Sequence, residues 1–143
     1  MLHIKPIQDQ TWHADACKRA NIPYLPELFA YEAYEGENPV GVCQFSLSGG
    51  IGQLVDLTNT VGVRDSEALF IMGRAALNFI NLCGVRRAVC ESERIPIQLQ
   101  RALGFRPSED GKMEMDLEHF FEHPCKNSDR TAAEEVSQLE KEL

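Results

Sequence analysis

Long apolar runs, basic clusters and a paired set of cysteines are all missing from this sequence. No run approaches the roughly 18 uninterrupted apolar residues of a membrane span, so we expect no membrane partner. Residues 1–6 lack a basic segment followed by an apolar one, so no secretory signal is predicted. The five cysteines are scattered and odd in number, which favours reduced thiols and a cytoplasmic location.

Positive charge is also scarce. The chain has 14 Lys and Arg against 22 Asp and Glu, a net charge of -8, and no basic cluster in it is longer than the pair Arg86 and Arg87. Such a surface repels phosphate backbones, because like charges raise the cost of approach. We therefore expect no nucleic-acid partner.

The length of 143 residues and the hydrophobic fraction of 43% suit one compact domain. The composition changes near Pro124, which predicts a single domain over residues 1–123 and a tail over residues 124–143. In the tail, Thr131 with Glu134 forms a capping-box pattern ahead of a thin apolar stripe. The tail is predicted to be a loosely held helix or disordered.

Hydrophobic periodicity and turn residues predict an alternating series of strands and helices. In chain order these are a strand at 2–7, a helix at 9–20, strands at 28–34, 40–47 and 51–58, a helix at 66–82, a strand at 86–91, a helix at 96–103 and a strand at 112–117. Short connections make the three middle strands antiparallel, whereas the helix at 66–82 joins parallel strands. Ile97, Leu99, Ala102 and Leu103 are expected to form the apolar side of the last helix.

This order resembles the GNAT superfamily of acyl-CoA-dependent N-acyltransferases over about residues 2–121. The stretch 57–84 and the run Leu103-Gly104-Phe105 carry the resemblance. It implies an α+β (α/β three-layer) fold in which a mixed central sheet of six to seven strands has helices on both faces. It also implies transfer of an acetyl group from acetyl-CoA to a small-molecule or protein amine.

In that family, a turn of the form Arg/Gln-x-x-Gly-x-Gly/Ala opens the main helix, and its backbone N–H groups hold the pyrophosphate of the cofactor. The corresponding residues here are Arg64, Asp65, Ser66, Glu67, Ala68 and Leu69. Arg64 matches, but Glu67 and Leu69 replace the two glycines. The resemblance assigns acetyl-CoA to these six residues together with Leu57 and Asn59, the latter through its backbone N–H. Simple capping of the helix by acidic residues is the alternative interpretation.

A second family motif places a tyrosine, the general acid to the leaving thiolate, where this chain has Gln100. A glutamine cannot donate a proton as a phenol can. For the base that takes the proton of the amine, Asp56 is the first candidate. Strand alternation predicts that Asp56 shares a face with Leu54 and Thr58. The alternative is that Asp56 is an ordinary solvated acid.

Metal-ligand residue types occur together at His119, His123 and Cys125, but no distant pair completes a four-ligand set, so we expect no metal site.

Two functions are weighed, an acetyl-CoA-dependent N-acetyltransferase and a non-catalytic binding or regulatory module that has lost the family motifs. Self-association into a homodimer, through a sheet edge or through residues 131–143, is a third hypothesis.

Overall fold

A single mixed sheet with three helices makes up residues 1–118, the part of the chain that this computed structural model describes. The elements are β1 Leu2–Pro6, α1 Gln10–Arg19, β2 Phe29–Glu35, β3 Asn38–Ser48, β4 Ile51–Asn59, α2 Ser66–Leu82, β5 Arg87–Cys90, α3 Ile97–Leu103, β6 Arg106–Pro107 and β7 Met113–Asp116. The order predicted from the sequence is confirmed, and the short strand β6 is an addition within a predicted loop.

The seven strands follow the order β1-β2-β3-β4-β5-β7-β6. Pairing is antiparallel from β1 to β4, parallel between β4 and β5, and antiparallel from β5 through β7 to β6. The sheet is therefore mixed, because the connection through α2 returns the chain in the same direction. No helix within the described range is long and apolar enough to cross a membrane.

The helices cover both faces of this sheet. On one face, Ala16 and Ala20 from the α1 side pack on Val42 of β3. The other face carries the main core, where α2 and α3 bury residues such as Met72 and Leu103 against the sheet. The exception on α3 is Ile97, which was expected on its apolar side but is 45% exposed.

Two glycines allow α2 to lie unusually close to its neighbours. A Cβ atom at Gly73 would lie 2.9 Å from Leu103 Cδ2 and 3.0 Å from Leu57 Cδ2, and one at Gly52 would lie 2.6 Å from Ile80 Cγ2. Real Cβ atoms essentially never lie under 3.0 Å from such heavy atoms. Glycine at these positions thus fixes the spacing between α2, α3 and β4.

Strands β4 and β5 diverge after a short stretch of pairing. They are partners only at Gly52 with Ala88 and at Gln53 with Val89. Beyond Gln53, β4 has no strand partner on the β5 side within residues 1–118. A gap therefore opens between the two strands toward their carboxyl ends.

A β-bulge in β4 changes which side chains face which helix. Gln44 of β3 is opposite Asp56 and its neighbour Phe45 is opposite Leu54, so Val55 is the extra residue. Leu54 belongs to the main core beneath α2, whereas Asp56 bonds to Gln44 on the α1 face. The prediction that Asp56 shares a face with Leu54 is therefore wrong, because an inserted residue reverses the alternation.

Candidate functional site

The gap between β4 and β5 contains a cavity of about 470 Å³, within the range of roughly 300–1,000 Å³ that is usual for small-molecule sites. Four of the residues that the sequence assigned to a cofactor line it: Leu57, Asn59, Ser66 and Leu69. The other four, Arg64, Asp65, Glu67 and Ala68, are not part of its wall. Sequence reasoning missed Thr58, the turn 60–63, Arg94, Pro96, Gln98 and Leu99.

Asn59 fixes the turn that leads from β4 into α2. Its Nδ2 donates to Val40 O at 3.0 Å and to Asp65 O at 3.3 Å, and its Oδ1 accepts from Asp65 N at 3.2 Å. These bonds tie the end of β4 to the start of α2. The side chain of Asn59 thus shapes the cavity by positioning the helix.

The start of α2 has one capped amide and two open ones. The Asp65 side chain accepts from Ala68 N at 3.0 Å, which confirms capping of this helix by an acidic residue. The N–H groups of Ser66 and Glu67 have no acceptor within the described residues. Since the helix dipole places positive charge at this end, the open amides favour an anion or another acceptor.

Ser66 adds a buried hydroxyl to the same helix end. The residue is 7% exposed, it lines the cavity, and its Oγ has no hydrogen-bond partner among residues 1–118. A buried hydroxyl without a partner costs stability, about 1–3 kcal/mol. A ligand with an acceptor oxygen in the cavity would remove that cost.

Arg94 brings a positive charge to the opposite wall. It lies on the loop between β5 and α3, and its Nη2 is 3.1 Å from Asp56 Oδ1. The ion pair therefore bridges the two diverging strands. The sequence could have predicted that Arg94 lies near the end of β4, because it follows β5 and the carboxyl ends of adjacent parallel strands meet at the same edge of a sheet.

Asp56 is a buried acid, 1% exposed, and so is not the solvated residue of the alternative interpretation. Gln44 Nε2 donates to its Oδ2 at 2.8 Å, and Arg94 faces its Oδ1. The carboxylate is not part of the cavity wall, but its ion-pair partner Arg94 is. Its role as a base stays a prediction.

Gln44 links Asp56 to α1. Its Nε2 also donates to Pro23 O at 2.9 Å, and its Oε1 accepts from Leu25 N at 3.1 Å. A carbonyl only accepts and an amide N–H only donates, so these contacts fix the orientation of the Gln44 side chain. His13 Nε2, 2.8 Å from Oε1, must then be the donor in that pair.

Two buried thiols lie near Asp56. Burial raises the pKa of Cys17 to about 11, with the charges of Asp56 and Glu32 adding to the effect. Burial and the charge of Asp56 likewise raise the pKa of Cys43. Both thiols therefore stay protonated at neutral pH and are poor nucleophiles.

No group of three or more His, Cys, Asp or Glu side chains within residues 1–118 is arranged to hold a metal ion. The residues His119, His123 and Cys125 lie outside the described range, as does the predicted tail.

No protein-family model and no curated protein sequence matches the chain. Several solved structures are similar to it. Ribosomal-protein-S18-alanine N-acetyltransferase from Escherichia coli is similar with a TM-score of 0.62 at 13% identity, over 82% of this chain and 94% of that chain. A Bacillus subtilis acetyltransferase in complex with CoA gives a TM-score of 0.65 at 15% identity, over 82% and 99%. An acetyltransferase assigned to the GNAT family, from Desulfovibrio desulfuricans, gives 0.63 at 11%, over 82% and 99%.

The chain has the GNAT fold. The likeness to the Bacillus subtilis acetyltransferase covers about four-fifths of the length of this chain. Within this GNAT fold, the cavity wall contains Ser66, with its open amide and unpartnered hydroxyl, and Arg94, which fit an anionic ligand. Capping of Ala68 by Asp65 removes one amide from that set.

Proposed function

We propose that this chain binds an acyl-CoA in the cavity at the start of α2 and transfers the acyl group to an amine. The observation that carries the proposal is the buried, unpartnered Ser66 hydroxyl beside open helix amides in the gap between β4 and β5. Acetyl-CoA is the expected co-substrate. The acceptor is expected to be a small-molecule or protein amine.

The residues of this chain have separate tasks in such a transfer. Ser66 and the N–H groups at the start of α2 hold the anionic part of the ligand. The unpaired edge of β4 beyond Gln53 offers peptide groups to an extended arm that lies in the gap. Leu57, Leu69 and Leu99 supply an apolar wall that excludes water.

Bound acyl-CoA would supply a thioester carbonyl that an amine can attack. An N–C bond then forms, the C–S bond breaks, the amine loses a proton and the thiolate gains one. Asp56 is the candidate to hold the proton from the amine, and Arg94 must move from Oδ1 before an amine can reach it. Gln100 cannot serve as a phenolic acid, so the thiolate takes its proton from another source, such as water.

Titration calorimetry with CoA and acetyl-CoA at millimolar concentration tests the binding step. We expect saturable heat, and about tenfold weaker binding after Ser66→Ala, because one hydrogen bond to a charged group is lost. Ser48→Ala, at an exposed serine, is the matched control and should bind as the wild type does. No heat with either nucleotide would refute the proposal.

Release of free thiol from acetyl-CoA, measured with a panel of primary amines, tests the chemical step. Asp56→Asn is expected to lower the rate at least 10²-fold, the usual contribution of a general base. The non-catalytic module is the second candidate, favoured by the Asp65 cap on Ala68 and by Gln100 at the tyrosine position. Binding of CoA without any thiol release would support that second candidate.

A further inference from the structure

The outward face of α2 has the composition of a buried surface. Along the 17 residues Ser66–Leu82, the only charged side chains are Glu67 and Arg74. A helix that is apolar on all sides is usually covered on all sides. The inward face of α2 is covered, since residues such as Met72 and Ile80 lie in the main core. The sequence of α2 thus predicts a partner for its outward face as well.

That outward face carries an apolar row that is open to solvent. Four residues recur at intervals of four, three and four positions, which places them on one side of the helix: Ile71, Ala75, Asn78 and Leu82. Leu82 is 75% exposed and Ile71 is 38% exposed, so the rest of residues 1–118 leaves both in contact with solvent. Apolar side chains at these intervals are typical of the contact between two packed helices.

The end of the chain carries a second row with the same intervals. Its members lie outside the described residues and are taken from the sequence: Ala132, Val136, Leu139 and Leu143. The capping-box pattern of Thr131 and Glu134 predicts that a helix begins here. The charged residues of this segment fall between the members of the row, so the predicted helix has one apolar side to bury. Two rows with equal intervals can pack side by side along two helices.

The path of the chain brings this segment close to α2. Leu117 N donates to Arg86 O at 2.9 Å, and Arg86 comes four residues after Leu82, the last residue of α2. The described part of the chain therefore ends beside the carboxyl end of that helix. Residues 119–131 can span up to about 40 Å when extended, whereas the 17 residues of α2 are about 25 Å long. The second row can thus reach any part of the outward face.

We propose that residues 131–143 form a helix whose apolar row packs on the outward face of α2 in the same chain. Its leucines then cover Ile71 and Leu82, while its acidic side chains stay in solvent. A partner in the same chain is favoured over a second copy, because a short connection gives an effective concentration in the millimolar range. The contact involves neither the cavity at the start of α2 nor acyl transfer.

Cross-linking of the full-length chain tests which partner lies on α2. Cys83→Ser and Cys125→Ser leave three thiols, all of them buried, and Asn78→Cys with Gln138→Cys then place one reactive thiol on each helix. A short bismaleimide joins thiols that lie close together. We expect a product of monomer size, formed at least tenfold faster than when Asp15→Cys replaces Asn78→Cys. Asp15 is the matched control, since it is exposed on α1, which covers the opposite face of the sheet.

Hydrogen exchange measured by NMR tests the contact without added thiols. Leu82→Lys puts a charge on the outward face of α2 and should speed exchange of the backbone amides of residues 136–143 at least tenfold. Leu139→Lys should do the same, although lysine and leucine have similar helix propensity. The matched controls should leave exchange unchanged. They are Ile97→Lys, at an exposed hydrophobic residue of α3, and Ser137→Lys, on the polar side of the predicted helix.

Each outcome supports or overturns the proposal. A product of monomer size together with slow exchange that Leu82→Lys abolishes would support it. A product of dimer size would assign the outward face of α2 to a second copy and overturn it. Unprotected amides in residues 136–143 of the wild type, or equal exchange in Leu82→Lys and Ile97→Lys, would overturn it as well. Neither assay contains CoA, so this proposal and the proposed acyl transfer can fail separately.

Discussion

At the scale of single residues, Gln44 on the α1 face uses every donor and acceptor of its side-chain amide. Its amide makes four hydrogen bonds, to His13, Pro23, Leu25 and Asp56. It is buried, with no exposed surface. Because every donor and acceptor of the amide is used, Gln44 determines where the carboxylate of Asp56 lies relative to α1.

Gln44→Leu should lower the free energy of unfolding by about 3 kcal/mol. The leucine fills similar space but leaves partners such as Pro23 O and Asp56 Oδ2 without a donor, at about 1–3 kcal/mol for each group that stays buried. Urea denaturation measures the change. Gln98→Leu, at an exposed position on α3, is the matched control and should change stability by less than about 0.5 kcal/mol. Equal effects of the two substitutions would contradict the argument.

At the scale of elements, the gap depends on how α2 holds β4 at the short stretch where β4 pairs with β5. Gly52 is one of the two pairing residues of β4, and Ile80 of α2 fills the space where its Cβ would be. Because Gly52 packs against Ile80 here and β4 and β5 do not pair beyond Gln53, these two strands are held together at one end only.

Gly52→Ala should destabilise the fold by about 1–2 kcal/mol, because overpacking against Ile80 outweighs the stabilisation that alanine gives by lowering the conformational entropy of the unfolded chain. Ile80→Ala alone should cost about 2–5 kcal/mol. Since Ile80→Ala empties the space that the new methyl group needs, Gly52→Ala in that background should be neutral or stabilising. A double-mutant cycle in urea measures this coupling. Additive effects would rule out the contact as the cause.

Element boundaries were predictable where single residues determine them. Asp9 and Asp65 cap the two longer helices, and Gly84 and Gly104 end helices with positive φ, at +86° and +119°. Their chemistry is local, so the sequence alone indicates it. These residues gave the bounds of α2 without error.

The bulge at Val55 was not predictable in the same way. Nothing in the residues around it differs from a regular strand, and the extra residue is defined by its pairing with β3. As a result, the face assigned to Asp56 was wrong, and its contacts with Gln44 and Arg94 were missed. Long-range pairs of this kind depend on tertiary structure rather than on local pattern.

At the scale of the whole molecule, the sheet has two edges within the described residues. β1, which contains Pro6, is one edge, and the short strand β6 is the other. Proline and short length both limit pairing with another chain at these edges. The homodimer, the amine acceptor and the absence of nucleic-acid partners stay predictions.

The stability of the molecule should fall between about pH 8 and 10, because buried thiols resist ionisation. Burial raises the pKa of Cys90 to about 11, as it does for Cys17. In the unfolded chain a thiol loses its proton near pH 8.5–9. Between about pH 8 and 10 the folded state therefore holds more protons than the unfolded state, and each buried thiol lowers the free energy of unfolding by about 1 kcal/mol. Urea denaturation under reducing conditions measures the slope. Cys17→Ala should reduce the fall by about 1 kcal/mol, whereas Cys83→Ala, at an exposed thiol, should leave it unchanged. If Cys17→Ala keeps the full wild-type slope, the thiol is not the source of the pH dependence.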